Sequence, residues 1–265
     1  MKRLALVILT GLQLGAQPIT PHAQAPIDVT GNWVSVVSED WRWRMVTPAK
    51  GDFQSIPVTL AAQKFADAWD PVKDEASGEQ CRGYGLPGLM RLPTRLRISW
   101  ADEQTLKVDA DTGTQTRMLH FANTPASGQG SWQGDSQAAW EVSGGPGGFP
   151  GLPPGAGTPA GFPLPSGGPG GRGSGNTAPR RYGNLKIVTR NLRPGYLRKN
   201  GVPYSANATV REYWDMYQTP SGDQWLIVNM IVNDPLYLQT DWITSLNFKK
   251  ELDGSKWDPS LCKSR

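Results

Sequence analysis

Residues 95–121 read RLRISWADEQTLKVDADTGTQTRMLHF, and this stretch decides the fold class. Apolar side chains stand at every second position, at Leu96, Ile98, Trp100, Leu106, Val108 and Ala110. A period of two is typical of β-strands that bury one face. The Asp-Thr-Gly turn at 111–113 reverses the chain into the run 114–121, so the stretch predicts a β-hairpin.

Alternating runs of the same kind recur along the chain. They lie at 33–38, 41–46, 95–100, 106–110, 114–121, 132–142, 185–191, 209–217, 225–232 and 242–249. Runs at this spacing, joined by turn residues, are typical of a barrel or a sandwich. The sequence therefore predicts a mainly β protein, a single antiparallel barrel of about 8–10 strands. The turn pair Asn200-Gly201 adds a hairpin over 197–204.

One short helix is predicted among the strands, over residues 59–69. Leu60, Phe65 and Trp69 share one face of this segment, as in an amphipathic helix. Thr59 can cap its first turn through the side-chain oxygen.

A glycine- and proline-rich tract separates the two groups of strands. Residues 144–179 contain 14 Gly and 9 Pro among 36 residues, without the strict third-position glycine of collagen. Such a composition cannot build a core, so the tract is predicted to be a disordered insertion in one domain. The alternative is a linker between two domains.

The first residues have the layout of a secretory signal peptide. Lys2 and Arg3 precede an apolar run, and small residues follow up to Ala25, which predicts a signal peptide over 1–25. A cut after Ala16 is the alternative. The barrel domain then spans 26–265, and the protein is expected to be periplasmic or secreted.

Composition and cysteine content narrow the class further. The 27 Lys plus Arg nearly balance the 23 Asp plus Glu, so nucleic acid is not an expected partner. Two cysteines are too few for a disulfide scaffold. In an oxidising compartment, Cys81 and Cys262 are predicted to form a disulfide, the alternative being two separate thiols.

Gly31-Asn32-Trp33 opens the first strand after the exported start, and here the sequence resembles the lipocalins and related calycin barrels. In that family the Trp of Gly-x-Trp packs across the barrel base, which implies a structural role for Trp33. The family's Thr-Asp-Tyr turn is absent, and Lys249 and Lys250 stand where its late arginine is expected. The motifs at 39–45, 78–82, 114–117 and 193–204 also resemble those of uncharacterised exported proteins of Gram-negative bacteria.

The lipocalin resemblance implies an exported binding protein for a small hydrophobic or amphipathic ligand held in the barrel. Trp41, Trp43 and Met45 alternate with Arg42 and Arg44. Inward arginines would select a carboxylate or sulfate, whereas inward aromatic rings would select an apolar ligand. The candidate ligand-binding residues are Trp41, Arg42, Trp43, Arg44, Arg117 and Trp225.

Catalysis is an open alternative, in the form of a cofactor-independent lyase, isomerase or hydrolase acting on such a molecule. Its candidate acid–base residues are Glu39, Asp40 and His120. His120 is the only histidine after residue 25, so no histidine-rich metal set is expected. No glycine-rich phosphate loop precedes a helix, and no cofactor is expected.

A third hypothesis concerns the cell envelope. The region 180–211 has eight cations and no acid: Arg180, Arg181, Lys186, Arg190, Arg193, Arg198, Lys199 and Arg211. It predicts a contact with an anionic envelope surface, or simply a solvated face. The sequence leaves the oligomeric state open.

Overall fold

The computed structural model describes residues 20–122, 128–143 and 182–265, which form a closed barrel with short helices. The strands are β1 (Gly31–Val36), β2 (Arg95–Asp102), β3 (Thr105–Ala110), β4 (Gln115–His120), β5 (Asp135–Ser143), β6 (Tyr182–Arg190), β7 (Gly195–Arg198), β8 (Val202–Tyr204), β9 (Thr209–Gln218), β10 (Gln224–Asn233) and β11 (Trp242–Glu251). The helices are α1 (Pro21–Gln24), α2 (Trp41–Arg44), α3 (Leu60–Asp67), α4 (Pro71–Ala76) and α5 (Leu86–Leu89), with a 3₁₀ helix at Gln80–Tyr84. β7 and β8 form a separate two-stranded sheet.

Nine strands close the barrel in the order β1-β11-β10-β9-β6-β5-β4-β3-β2. The predicted mainly β single barrel is therefore confirmed. Eight neighbouring pairs are antiparallel, and β4 and β5 are parallel, with Leu119 opposite Ser136 and His120 opposite Gln137. The expectation of antiparallel pairing throughout fails at this one place, because strand directions cannot alternate around a ring with an odd number of strands.

The two ends of the barrel differ. The capped end, where β1 finishes and β2 begins, is covered by residues 37–94 and the β7–β8 hairpin. There the indole N–H of Trp242 donates to the Ser55 carbonyl at 2.9 Å. The opposite end is crossed by residues 20–30, which we call the strap. Here the indole N–H of Trp140 donates to the Pro21 carbonyl at 2.8 Å.

Side chains fill the barrel interior. Alternate strand residues point inward and are buried, among them Leu96, Ile98, Leu106, Val108, Leu185, Ile187, Trp214, Val228, Leu246 and Phe248. Trp33 is also fully buried, and its indole N–H donates to the Val29 carbonyl at 2.9 Å. The Lys250 ammonium lies 5.4 Å from the centre of its ring, so a lysine occupies the position near this Trp where the lipocalin resemblance suggested an arginine.

Most of the predicted elements are present. Nine of the ten alternating runs coincide with the barrel strands, and the 197–204 hairpin is β7–β8. The predicted helix is α3, and the Thr59 hydroxyl accepts a hydrogen bond from the Ala62 amide at 3.3 Å as its cap. The run 41–46 is the exception, because its first four residues form helix α2.

The disulfide Cys81–Cys262 is confirmed, and it ties the 3₁₀ helix to the C-terminal tail. The tract 144–179 lies outside the described residues. Its flanking strands, β5 and β6, pair with each other, so strands from both sides of the tract build the same barrel. No helix in the described part of the chain is long and apolar enough to cross a membrane.

Candidate functional site

Three buried arginines meet around a pocket of about 30 Å³ at the capped end. They come from separate segments: Arg44 ends α2, Arg91 follows α5, and Arg198 ends β7. Trp43 and Lys199 also line the pocket. We call this site the arginine pocket.

Arg44 is the most enclosed of the three, with a side chain that is 1% exposed. One terminal nitrogen forms an ion pair with Glu39, and Nε donates to the Arg91 carbonyl at 2.9 Å. The other terminal nitrogen, Nη2, is buried and has no hydrogen-bond partner among the described residues. Burial lowers the pKa of this guanidinium because a charged group loses its hydration.

Arg91 is held from both sides. Its Nη2 donates to the Asp40 carboxylate at 2.7 Å, and its Nη1 donates to the Thr244 hydroxyl on β11. Its guanidinium also lies 4.8 Å from the ring centre of Trp242. Burial lowers the pKa of Arg91 as well. These contacts hold the Arg91 head group at the wall of the pocket.

Arg198 has no carboxylate within ion-pair distance among the described residues. Its guanidinium donates to the Gln54 carbonyl at 2.6 Å and to the Ser55 hydroxyl at 2.7 Å, and it lies 5.0 Å from the ring centre of Trp43. Burial, followed by repulsion from Arg91, lowers its pKa to about 10. Neutral oxygens therefore contact this cation directly, and the Asp52 and Asp40 carboxylates offset its charge only from beyond ion-pair distance.

The pocket has an excess of positive charge. Three guanidinium groups face two paired carboxylates, Glu39 and Asp40, and Lys199 also lines the pocket, so the cations outnumber the carboxylates that pair with them. Asp52 offsets this excess only in part, because its carboxylate lies 3.9 Å from the exposed Arg42 and accepts from the Trp43 indole at 3.1 Å. Planar guanidinium groups around a small cavity are suited to hold an anion by paired hydrogen bonds.

The structure brings four of the predicted site residues together here. Trp43 and Arg44 line the pocket, while Glu39 and Asp40 hold its arginines. Their neighbours point outward: Trp41 is 66% exposed, and the Arg42 side chain is also 66% exposed.

The other two predicted ligand residues lie elsewhere. Arg117 is buried inside the barrel, where it pairs with Glu212. Trp225 lies on β10 beneath Lys249, whose ammonium is 6.0 Å from the centre of its ring. Neither residue lines the arginine pocket. Their roles in ligand binding stay predictions.

The three catalytic candidates do not lie together in one site. His120 ends β4 at the strap end, and its Nδ1 lies 3.4 Å from the Thr105 hydroxyl. Glu39 and Asp40 lie at the capped end. In the described part of the chain, no three His, Cys, Asp or Glu side chains form a metal-binding group. An acid–base role for any of the three stays a prediction.

The described cations of the basic region 180–211 are distributed over several contacts. Arg193 pairs with Glu79, Lys186 with Glu141 at 2.8 Å, and Arg211 with Asp241 at 2.7 Å. Arg198 lies in the arginine pocket. An envelope surface as partner stays a prediction.

Sequence reasoning missed Arg91 and Arg198 as members of the site. Arg91 interrupts the otherwise apolar run LPGLMRL at 86–92, and a cation in such a run is a usable signal of a buried, paired residue. Arg198 carried no comparable signal, because it is one of eight cations in a region predicted to be surface.

No family profile, no curated protein and no solved structure matches this chain. The resemblance to lipocalins is supported at the level of a closed β-barrel, and no family is identified. Any functional argument therefore rests on the geometry of the site.

Proposed function

We propose that this protein is an exported binding protein for amphipathic carboxylates, with the ligand's head group in the arginine pocket. The observation that carries the proposal is a pair of buried guanidinium groups at this site whose charge or hydrogen bonds are incompletely compensated. Arg198 has no described carboxylate partner, and Arg44 Nη2 is buried without an acceptor. A bound carboxylate would supply the missing acceptors.

The size of the pocket favours a carboxylate over larger anions. A volume of about 30 Å³ holds about two water-sized groups. Two carboxylate oxygens need this much room, whereas the four oxygens of a sulfate need more. The planar fork of a guanidinium also matches the two oxygens of a carboxylate.

Exposed apolar side chains beside the pocket favour a ligand with an apolar tail. Val46 lines the pocket and is 69% exposed, and its neighbours Met45 and Trp41 are more than half exposed. The barrel interior is filled, and the void beside Arg117 measures about 10 Å³. The proposal therefore places the tail along α2 and the residues after it, outside the barrel.

The test compares dodecanoate with dodecanol, which has the same tail and no charge. Dodecanoate is expected to raise the melting temperature of the purified protein, by an amount that grows with the logarithm of its concentration relative to Kd, whereas dodecanol leaves it unchanged. Arg198→Gln should weaken dodecanoate binding about tenfold, since it removes a charge-assisted contact. Arg211→Gln is the matched control, because Arg211 is partly exposed, pairs with Asp241 and does not line the pocket.

Arg198→Lys separates loss of binding from loss of folding. It keeps the positive charge and removes the planar fork, so its affinity should lie between those of the native protein and Arg198→Gln. Equal stabilisation by dodecanoate and dodecanol would contradict the proposal. So would equal effects of Arg198→Gln and Arg211→Gln on dodecanoate affinity.

A further inference from the structure

A second pocket lies at the strap end, on the opposite side of the barrel from the arginine pocket. It measures about 460 Å³, within the range of small-molecule sites. The strap forms one wall, and the inward-facing residues Trp100 of β2 and Trp140 of β5 form the other. Both tryptophans point inward. So do Ile98 and Ala138, which precede them by two residues in the same strands and are buried.

Aromatic rings form a continuous wall at this pocket. The His22 ring stacks on Trp100 with 4.6 Å between centres. Phe121 lies 5.5 Å from Trp100 and 5.2 Å from Trp140, so it joins the two tryptophans. The faces of such rings carry negative partial charge and attract cations.

The lining of this pocket carries a negative charge, as the faces of the aromatic rings do. Asp28, which is exposed, lines the pocket, and among the described residues no Lys or Arg does. Its Oδ1 accepts from the Thr30 amide at 2.9 Å and from the Thr30 hydroxyl at 2.7 Å. Its Oδ2 accepts no hydrogen bond from any described residue. An acid without a cationic partner therefore lies beside two tryptophans.

We propose that this pocket binds a small organic cation, an ammonium ion with methyl or aromatic substituents. The tryptophan faces would surround the substituents, and Asp28 would supply the counter-charge. This site is independent of the arginine pocket, which selects the opposite charge. Cleavage after Ala16 would keep the whole strap, whereas cleavage after Ala25 would remove His22 and Ala25 from the pocket wall and leave Asp28 and both tryptophans. The proposal therefore applies to the form of the protein that retains residues 20–30.

The test is to titrate the purified protein with benzyltrimethylammonium and to measure binding by calorimetry and by tryptophan fluorescence. Benzyl alcohol is the uncharged comparison. We expect saturable binding of the ammonium ion, at least about tenfold tighter than that of the alcohol. Asp28→Asn should weaken ammonium binding about fivefold or more, and Trp140→Leu should weaken it further.

A control keeps the result specific. Trp257→Phe removes a tryptophan that does not line the pocket, and it should leave the affinity unchanged. Asp28→Asn keeps the size of the side chain and decides the outcome if Trp140→Leu does not fold. Equal binding of the ammonium ion and the alcohol would overturn the proposal, as would an unchanged affinity in Asp28→Asn.

Discussion

Arg117 and Glu212 form an ion pair in the centre of the barrel, and both side chains are almost completely buried. Arg117 also donates to the Ser136 hydroxyl at 3.0 Å and to the Thr189 hydroxyl at 2.8 Å. The Trp214 indole N–H lies 3.3 Å from Glu212. These contacts compensate part of the lost hydration, while Arg117 Nη1 is buried without a hydrogen-bond partner among the described residues.

Removing one partner of this pair should be much worse than removing both. Glu212→Gln leaves the Arg117 charge buried, and we expect it to lower the free energy of unfolding by about 3–5 kcal/mol. The double variant Arg117→Met/Glu212→Leu leaves no buried charge, and its loss should be clearly smaller than the sum of the losses of Arg117→Met and Glu212→Leu alone. Urea unfolding of the native protein, these two single variants and the double variant measures the difference. Strict additivity would show that the two residues do not act as a pair.

Helix α2 shows how a short segment escapes prediction from local pattern. Trp41 to Arg44 alternate aromatic and basic side chains, as a strand does, yet the Met45 amide donates to the Trp41 carbonyl as in a helix. The preceding residue, Asp40, has a φ of 52°, in the left-handed region that aspartate tolerates. In this conformation Glu39 forms an ion pair with Arg44, and Asp40 forms an ion pair with Arg91. Four residues are too few for periodicity to outweigh such contacts.

The barrel strands were predictable because each buries one face and exposes the other. β2, for example, alternates from Arg95 to Trp100 as its burial does. The arginine pocket was only half predictable. Arg44 was a candidate, but its neighbours Arg91 and Arg198 are distant in the sequence, and no local pattern specifies which segments will meet at the capped end.

Thr59, the N-cap residue of helix α3, holds the helix through two hydrogen bonds. The Thr59 hydroxyl caps the helix and also donates to the Leu236 carbonyl at 3.1 Å, which joins α3 to the loop between β10 and β11. Thr59→Ala should lower the free energy of unfolding by about 1–2 kcal/mol. Thr59→Ser keeps the hydroxyl and is the control, to be compared by urea unfolding. Equal losses in the two variants would assign the effect to the methyl group.

At the scale of the whole molecule, the disulfide Cys81–Cys262 connects residues 181 positions apart. Loop-closure entropy gives a bridge of this span up to about 5 kcal/mol of stability. The double variant Cys81→Ala/Cys262→Ala should therefore melt at a lower temperature than the oxidised protein. Reductant should lower the melting temperature of the native protein and leave that of the variant unchanged. A melting temperature that neither the double substitution nor the reductant lowers would contradict this expectation.

The same bridge has a consequence for a severed polypeptide. Cys81 precedes the Gly/Pro tract and Cys262 follows it, while β5 and β6 lie side by side at its two borders. A protease nick anywhere between Ser143 and Tyr182 would yield two fragments that remain covalently tethered. They would migrate as one species on a non-reducing gel and separate only when thiol is added.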